Sequence, residues 1–142
     1  MPNIIDDLEK RGLLDNFSDK EKIQKLFDSK QTVYCGFDPS AKSLQLGNFI
    51  MIKILQRFQK AGHRVIATLG GATGMIGDPS GKKSERKFLS PEQVMDNAEC
   101  IKAQLSKYID TKDSEKGLII NNYEWWSKIN ILSFLRDYGK NF

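Results

Sequence analysis

One stretch limits the possible folds of this chain more than any other. Strand-forming residues 32–35 end at Gly36, a turn follows, and a helix begins near Gly47. This helix has apolar residues at helical spacing: Leu46, Ile50, Ile54 and Phe58. A strand, a turn and a helix N-terminus in this order leave free backbone N–H groups and the positive end of the helix dipole at the turn. The stretch 34–48 therefore predicts an anion site.

The rest of the chain predicts alternating helices and strands. Helices are expected after Asn3 up to about Gly12, after a Ser18–Glu21 capping box, from about Gly47 to Ala61, after Ser90 as cap, and from Asn130 to Gly139. Two further strands are expected at Arg64–Leu69 and Gly117–Asn121, and a long loop from Gly70 to Leu89.

The element order β-α-β-α-β predicts an α/β fold with a parallel sheet, because such crossovers are right-handed and cover the sheet with helices. We expect a Rossmann-like sheet with helices on both faces, the first half of a doubly wound nucleotide-binding fold. The expected organisation is an N-terminal helical segment, residues 1–30, followed by a partial nucleotide-binding domain, residues 31–142.

Composition narrows the class of protein. The chain has 142 residues, a net charge of +4 and two cysteines, Cys35 and Cys100. The charge favours polyanionic partners, and two cysteines do not make a disulfide framework or a C-x-x-C metal site. The first residues lack a signal peptide, and no apolar run approaches the ~18 residues of a membrane span. A cytoplasmic protein is expected.

The first turn carries several polar side chains that could face a phosphate. Asp38 and Ser40 follow the end of a strand, and Gln45 and Asn48 lie at the start of the helix. Hydroxyl and amide groups donate to phosphate oxygens. The same residues are also typical of an ordinary strand-to-helix turn with polar caps, and spacing alone leaves both interpretations open.

A second glycine-rich turn, residues 70–84, follows the second strand and is expected to face the first. It is not a P-loop, because only three residues separate Gly77 from Gly81 and Lys83 stands where Ser or Thr is required. Its glycines allow a ligand to approach the backbone closely. Asp78 there either binds a ligand ammonium or hydroxyl group or forms an Asp-Pro turn.

A basic run follows in the same segment. Positive charge of this kind stabilises departing phosphates in phosphoryl and nucleotidyl transfer. A solvated charged loop is the alternative interpretation of these four residues: Lys82, Lys83, Arg86 and Lys87.

Four other side chains lie outside these turns and the basic run. Tyr34, expected at the end of an interior strand, either binds a ligand hydroxyl or is a core residue. His63, the only histidine, is expected to act at the C-terminus of the preceding helix, so that Ser-His-Asp and His-metal chemistry are disfavoured and no metal site is predicted. Trp125 and Trp126 are expected in core and surface packing.

Taken together, the motifs resemble the bacterial tyrosyl-tRNA synthetase family of class I aminoacyl-tRNA synthetases. The resemblance covers essentially the whole chain, and the most specific part is residues 70–86. The matching segments are Tyr-Cys-Gly-Phe-Asp-Pro-Ser, Leu-Gln-Leu-Gly-Asn, Gly-Gly-Ala-Thr-Gly-Met-Ile-Gly-Asp-Pro-Ser-Gly-Lys-Lys-Ser-Glu-Arg, Asn-Asn-Tyr-Glu-Trp and Phe-Leu-Arg-Asp-Tyr-Gly-Lys.

The resemblance implies that L-tyrosine is activated with ATP and Mg²⁺ and then transferred to tRNA(Tyr). The tyrosine carboxylate attacks the α-phosphorus and pyrophosphate leaves, so that positioning and charge stabilisation do the catalytic work. ATP with Mg²⁺ enters as a substrate, no tightly bound cofactor is implied, and the family is similar in being homodimeric.

The resemblance also implies roles for individual residues. Tyrosine would be bound by Tyr34, Asp78 and Asn122. ATP would lie along Cys35, Gly36, Asp38, Gly47 and Asn48, with Cys35 and Asn48 near the ribose. The departing phosphates would be met by Ser40, Gln45, Lys82 and Arg86, and these four residues together with Asn48 would be the catalytic residues.

Two departures from the family pattern matter. The His-Ile-Gly-His signature reads Gln45-Leu46-Gly47-Asn48 here, and because Gln45 carries no positive charge we expect slower activation. The chain also ends at Phe142, before a Lys-Met-Ser-Lys-Ser-type loop, so an N-terminal piece with an unpaired sheet edge is expected. The alternatives left open are a catalytically inactive fragment, an RNA-binding remnant, or a tryptophanyl-type synthetase.

Overall fold

The computed structural model describes residues 3–76 and 89–141. The described elements are α1 Ile4–Lys10, α2 Lys20–Leu26, β1 Thr32–Phe37, α3 Leu46–Lys60, β2 Arg64–Leu69, α4 Gly71–Ile76, α5 Pro91–Leu105, β3 Gly117–Asn121, α6 Tyr123–Trp126, α7 Ile131–Asp137 and a final 3-10 turn Gly139–Asn141. The predicted strands and helices appear among them in the expected order, and α4, α6 and the 3-10 turn are additional. No helix among these residues is long and apolar enough to cross a membrane.

The caps explain where several helices begin. Asn3 caps α1, and Ser90 with Gln93 forms a capping box on α5, as the sequence predicts. The expected cap at Ser18 is wrong by one residue. Asp19 caps α2 instead, because its carboxylate accepts the Lys22 N–H at 3.1 Å, and a negative group is favoured at a helix N-terminus.

The three strands form a parallel sheet in the order β1-β2-β3, with β2 in the centre. This confirms the predicted parallel α/β sheet flanked by helices. The expected helices on both faces are not seen in the described residues, where the helices of the core pack on one face. β1 pairs with β2 alone among the described strands, so the expectation that Tyr34 ends an interior strand is wrong. Tyr34 lies within β1 and is 78% exposed, which also excludes the core alternative.

Helices pack against one face of the sheet and cover it. Val65, Ala67 and Leu69 of β2 are almost fully buried there, as period-2 alternation of side chains requires. Ile5 and Leu8 of α1 belong to the same apolar cluster, together with residues of α3 and α5: Ile52, Leu55, Phe58, Ala98, Ile101 and Leu105. The N-terminal helix therefore shares one core with the sheet.

The expected loop from Gly70 to Leu89 is wrong in its first part, because α4 occupies Gly71–Ile76. The first turn of α4 is held from outside: the Asn122 Oδ1 accepts the Ala72 N–H at 2.7 Å. A Cβ on Gly71 would lie 2.3 Å from Asn121 Oδ1, so only glycine lets the helix begin this close to β3. These contacts are tertiary and leave no local signal.

The short helix α6 was not predicted, and it carries both tryptophans. Trp125 and Trp126 are 42% and 48% exposed, so their expected place in the core is wrong and surface packing is right.

His63 does not act as a charged partner of the helix end. It is buried, its Nδ1 accepts the Gln31 N–H at 3.2 Å, and its ring meets the edges of Phe27 and Phe58. Burial lowers the pKa of His63, because a charged imidazolium loses hydration there. The neutral ring joins the end of α3 to the residue before β1.

We expect the chain to lose stability as the pH falls below about 6.5, the ordinary pKa of the His63 side chain. The unfolded chain binds the proton at a higher pH than the folded chain, so acid favours unfolding. The measurement is urea unfolding at about pH 7.5 and about pH 5.5. His63→Gln, which retains an acceptor and does not titrate, should show a smaller pH dependence. An equal dependence in both proteins would contradict the assignment.

Candidate nucleotide and amino-acid site

The three strands end at the same level. Phe37, Leu69 and Asn121 are register partners at the carboxyl edge of the sheet. Two backbone bonds continue the pairing by one residue: Gly70 N–H donates to the Phe37 carbonyl at 3.0 Å, and Asn122 N–H donates to the Leu69 carbonyl at 2.9 Å. The segments after β1, β2 and β3 therefore begin side by side, where open parallel sheets bind ligands.

The first and second turns touch each other. A Cβ on Gly70 would lie 2.3 Å from Asp38 Oδ1 and 2.7 Å from Thr73 Oγ1. A Cβ on Gly74 would lie 3.3 Å from the ring of Pro39. The exposed carboxylate of Asp38 thus lies beside the start of α4, and the described part of the second turn, residues 70–76, faces the first turn as expected.

Asn122 supports α4 from the end of β3. Besides accepting the Ala72 N–H, it donates from Nδ2 to Thr73 Oγ1 at 3.2 Å, and its side chain is buried. Both halves of its amide are therefore used within the chain. Asn122 therefore stabilises the start of α4 at the edge of the site.

Tyr34 projects from the open face of the sheet. Its register partner is Ile66, which pairs in turn with Leu118, and all three side chains lie on the face opposite the buried core. The next row on this face contains Gly36, Thr68 and Ile120. Apart from its two chain neighbours, no atom of the described residues lies within 4 Å of a Cβ built on Gly36. The open face thus offers an apolar floor, a phenol hydroxyl and free space.

Cys35 lies on the other face, toward α3, because successive side chains of a strand alternate. Its thiol donates to the Gly36 carbonyl, with an S–O distance of 3.6 Å. Burial raises the pKa of the Cys35 thiol, which keeps it protonated and unsuited to nucleophilic attack. The structure therefore does not bring Cys35 onto the face that carries Tyr34.

The start of α3 has a reciprocal arrangement of polar groups. Gln45 is the N-cap residue, and its backbone N–H donates to Asn48 Oδ1 at 3.3 Å. Gly47 lies in the first turn, and apart from its chain neighbours and the backbone of its own helix, no atom of the described residues lies within 4 Å of a Cβ built there. Ser40 is exposed on the preceding turn. The helix end is therefore open at Gly47.

A groove of about 350 Å³ lies between the start of α3 and the end of α5. Its lining includes Gln45 and does not include Tyr34 or Asp38; the lining residues are Leu44, Gln45, Leu46, Phe49, Ile52, Gln104, Lys107 and Tyr108. Gln45 and Tyr34 therefore line different surfaces of the described structure.

Three of the predicted site residues, Asp78, Lys82 and Arg86, lie outside the described residues. In residues 3–76 and 89–141, no group of three or more His, Cys, Asp or Glu side chains could hold a metal ion.

Two residues near the site were missed by the sequence analysis. Asn97 is buried and donates from Nδ2 to the Pro39 carbonyl at 3.1 Å, and Gln104 accepts the Leu44 N–H through Oε1 at 3.2 Å. A signal for Asn97 was present, because it interrupts the apolar stripe of α5 between Val94 and Ile101. A polar residue on the buried face of a helix requires a partner.

Comparison with known proteins gives consistent matches. The model of the family described as tRNA synthetases class I (W and Y) matches residues 27–142. The chain is 51% identical over 141 residues to a tyrosine–tRNA ligase of Listeria monocytogenes, covering 99% of this chain and 34% of the relative. It is 50% identical to a tyrosine–tRNA ligase of Desulfitobacterium hafniense, with the same coverage of both chains.

A solved structure agrees with these sequences. A C-terminally truncated mitochondrial tyrosyl-tRNA synthetase of Aspergillus nidulans is similar, with a TM-score of 0.80 and 26% identity, covering 100% of this chain and 43% of that one. The chain spans about a third of the length of the curated relatives it matches. With the family model matching most of its residues, the chain belongs to the class I tRNA synthetases of the tryptophan and tyrosine type.

Proposed function

We propose that this chain is the tyrosine- and ATP-binding part of a tyrosine–tRNA ligase. The enzyme would form tyrosyl-adenylate from L-tyrosine and ATP with Mg²⁺ and then transfer the tyrosyl group to tRNA(Tyr). We further propose that it acts in the cytoplasm as a homodimer. The relatives named above, all described as tyrosine–tRNA ligases or tyrosyl-tRNA synthetases, support the choice of reaction.

The exposed phenol of Tyr34 on the open face carries this proposal. A tyrosine at 78% exposure in the middle of a strand leaves its hydroxyl unused by the described chain, while Ile66 and Leu118 beside it supply an apolar floor. A substrate phenol lying on that floor would bury its ring and exchange a hydrogen bond with Tyr34. Asp78 would hold the substrate ammonium, and Asn122 would keep α4 in place beside it.

The space around two glycines supports an ATP path along the edge of the sheet. Gly36 and Gly47 have empty volume where a Cβ would be, so nothing in the described chain requires glycine there. Glycine costs roughly 0.8–1.0 kcal/mol in a helix compared with alanine, so Gly47 is explained best by close approach of a ligand. The dipole of the 15-residue helix α3 would favour the phosphates.

Positioning and charge would supply the catalysis. Ser40, Gln45 and Asn48 would donate to the phosphates, and Lys82 with Arg86 would balance the charge on departing pyrophosphate. Asp38 would lie along the adenylate, and Cys35 would reach the ribose only from the α3 side. The protonated thiol of Cys35 and the buried, neutral His63 are consistent with a reaction that needs neither a nucleophile nor a general base.

The second candidate is a tryptophanyl-type enzyme, because the matching family model covers both amino acids. The Tyr34 hydroxyl beside the apolar floor of the open face favours tyrosine as the substrate. A site that hydrogen-bonds a substrate hydroxyl rejects the analogue that lacks it, and tyrosyl-tRNA synthetase is itself the standard example of this effect.

The test of the function is ATP–pyrophosphate exchange by a full-length version of the protein. Exchange should require tyrosine, and tryptophan should not replace it. Tyr34→Phe should raise the KM for tyrosine roughly 3- to 10-fold, as expected for one lost hydrogen bond, and should weaken discrimination against phenylalanine. Exchange driven by tryptophan, or no exchange at all, would refute the proposal.

Gly47→Ala should have opposite effects on stability and activity. The free energy of unfolding of the chain should rise, by at most about 0.5–1 kcal/mol because Gly47 is in the first turn and this range applies to a helix interior. Alanine is the better helix former, and its Cβ would meet open space in the described structure. The KM for ATP in the exchange assay should rise. An unchanged KM for ATP together with the gain in stability would mean that the nucleotide does not occupy this space.

Gln45→His should raise the kcat of exchange, up to about tenfold, because a positively charged donor binds phosphate more strongly than an amide does. The matched control is Gln56→His on the same helix, where the glutamine donates to the Tyr108 carbonyl at 2.7 Å instead. Equal kcat values for the two variants and the parent would show that Gln45 does not face the phosphates.

A further inference from the structure

The turn between β1 and α3, residues 38–45, is held at both ends by side chains of α5. Asn97 Nδ2 donates to the Pro39 carbonyl at 3.1 Å, and this contact is buried. At the other end, Gln104 Oε1 accepts the Leu44 N–H at 3.2 Å and Gln104 Nε2 donates to the Lys42 carbonyl at 2.8 Å. These amides bind backbone that has no strand or helix partner of its own.

The spacing of the two amides follows from the helix. Asn97 and Gln104 are seven residues apart, which places them on one face of α5 about two turns and ~10 Å apart. Ile101 between them is buried in the core, and Ser90 with Gln93 caps the same helix. α5 is therefore a rigid element, and the turn is attached to it at two points along its axis.

The attached groups are next to the residues proposed to meet the phosphates. Pro39 directly precedes Ser40, and Leu44 directly precedes Gln45, the cap of α3. We propose that Asn97 and Gln104 are positioning residues that set the separation of Ser40 and Gln45 for pyrophosphate departure. This inference rests on the proposed function and adds residues that touch neither substrate.

The expected size of the effect comes from geometry. A misplacement of about 1 Å at a reacting group can lower the rate up to roughly 100-fold, since positioning supplies much of the catalysis. Tyrosine binding should be unaffected, because Tyr34 lies on the open face of the sheet and α5 packs on the other.

The chain offers a matched control for Gln104. Gln104 makes a third bond to backbone, because its Nε2 also donates to the Cys100 carbonyl at 3.3 Å. Gln59 of α3 likewise makes three bonds to backbone, and they lie far from the turn: its Nε2 donates to the Asp110 and Lys116 carbonyls at 2.8 and 3.1 Å, and its Oε1 accepts the Asp110 N–H at 3.0 Å. Gln104→Met and Gln59→Met each remove such a set of bonds and keep the length of the side chain.

Both variants are made in the full-length version and examined by hydrogen exchange and by ATP–pyrophosphate exchange. Gln104→Met should speed exchange of the Leu44 amide at least ~10-fold and lower kcat roughly 10- to 100-fold, with the KM for tyrosine unchanged. Gln59→Met should speed exchange of the Asp110 amide and leave kcat unchanged. Gln104→Glu, which retains the acceptor for Leu44 N–H, should show an intermediate loss of kcat.

The outcomes separate this inference from the function on which it rests. Unchanged protection of Leu44 in Gln104→Met would overturn the anchoring, and an equal loss of kcat in Gln59→Met would overturn the positioning role. A parent enzyme inactive with tyrosine would refute the proposed function. The positioning role would then also fall, even if Gln104→Met exposed the Leu44 amide as expected.

Discussion

The parallel pairing of β2 with both of its neighbours is the constraint on which the site depends. It aligns Phe37, Leu69 and Asn121 at one edge, so that three connecting segments start from the same line. Helices α1, α3 and α5 cover one face of the sheet, and Tyr34 and Gly36 remain exposed on the other face. A one-residue slip of β1 would exchange the faces of Tyr34 and Cys35 and remove the phenol from the open side.

Beyond the ends of the strands, side-chain amides form the hydrogen bonds that hold the connecting segments. Asn122 holds the start of α4, while Asn97 and Gln104 hold the turn before α3. Each amide offers a donor and an acceptor, which suits it to loops whose N–H and carbonyl groups have no strand partner. Close contact at Gly70 and Gly71 lets these loops approach one another, since a Cβ at either position would meet a neighbouring polar side chain at 2.3 Å.

Much of the fold was predictable because its signals are local. The strand bounds of β2 and β3, the capping box on α5 and the cap at Asn130 follow from patterns within a few residues. The cap of α2 was missed locally, by one residue, but several other errors arose where a distant group decides. α4 depends on Asn122, His63 is neutral because it is buried beside the aromatic rings of Phe27 and Phe58, and Tyr34 is exposed because the core helices pack on the opposite face of the sheet.

The sequence proposes a set of candidate site residues, but it does not predict how they are arranged. By itself the sequence determined the order of strands and helices, the family resemblance and the polar residues of both turns. These follow from hydrophobic periodicity, helix caps and motifs, which depend on residues close together in the chain. Only the tertiary structure decided that Tyr34 and Cys35 face opposite ways beside a sealed core, and that Gln45 lines a groove with α5. The reason is physical: which face is buried depends on helices packed from elsewhere in the chain, and no local pattern encodes that contact.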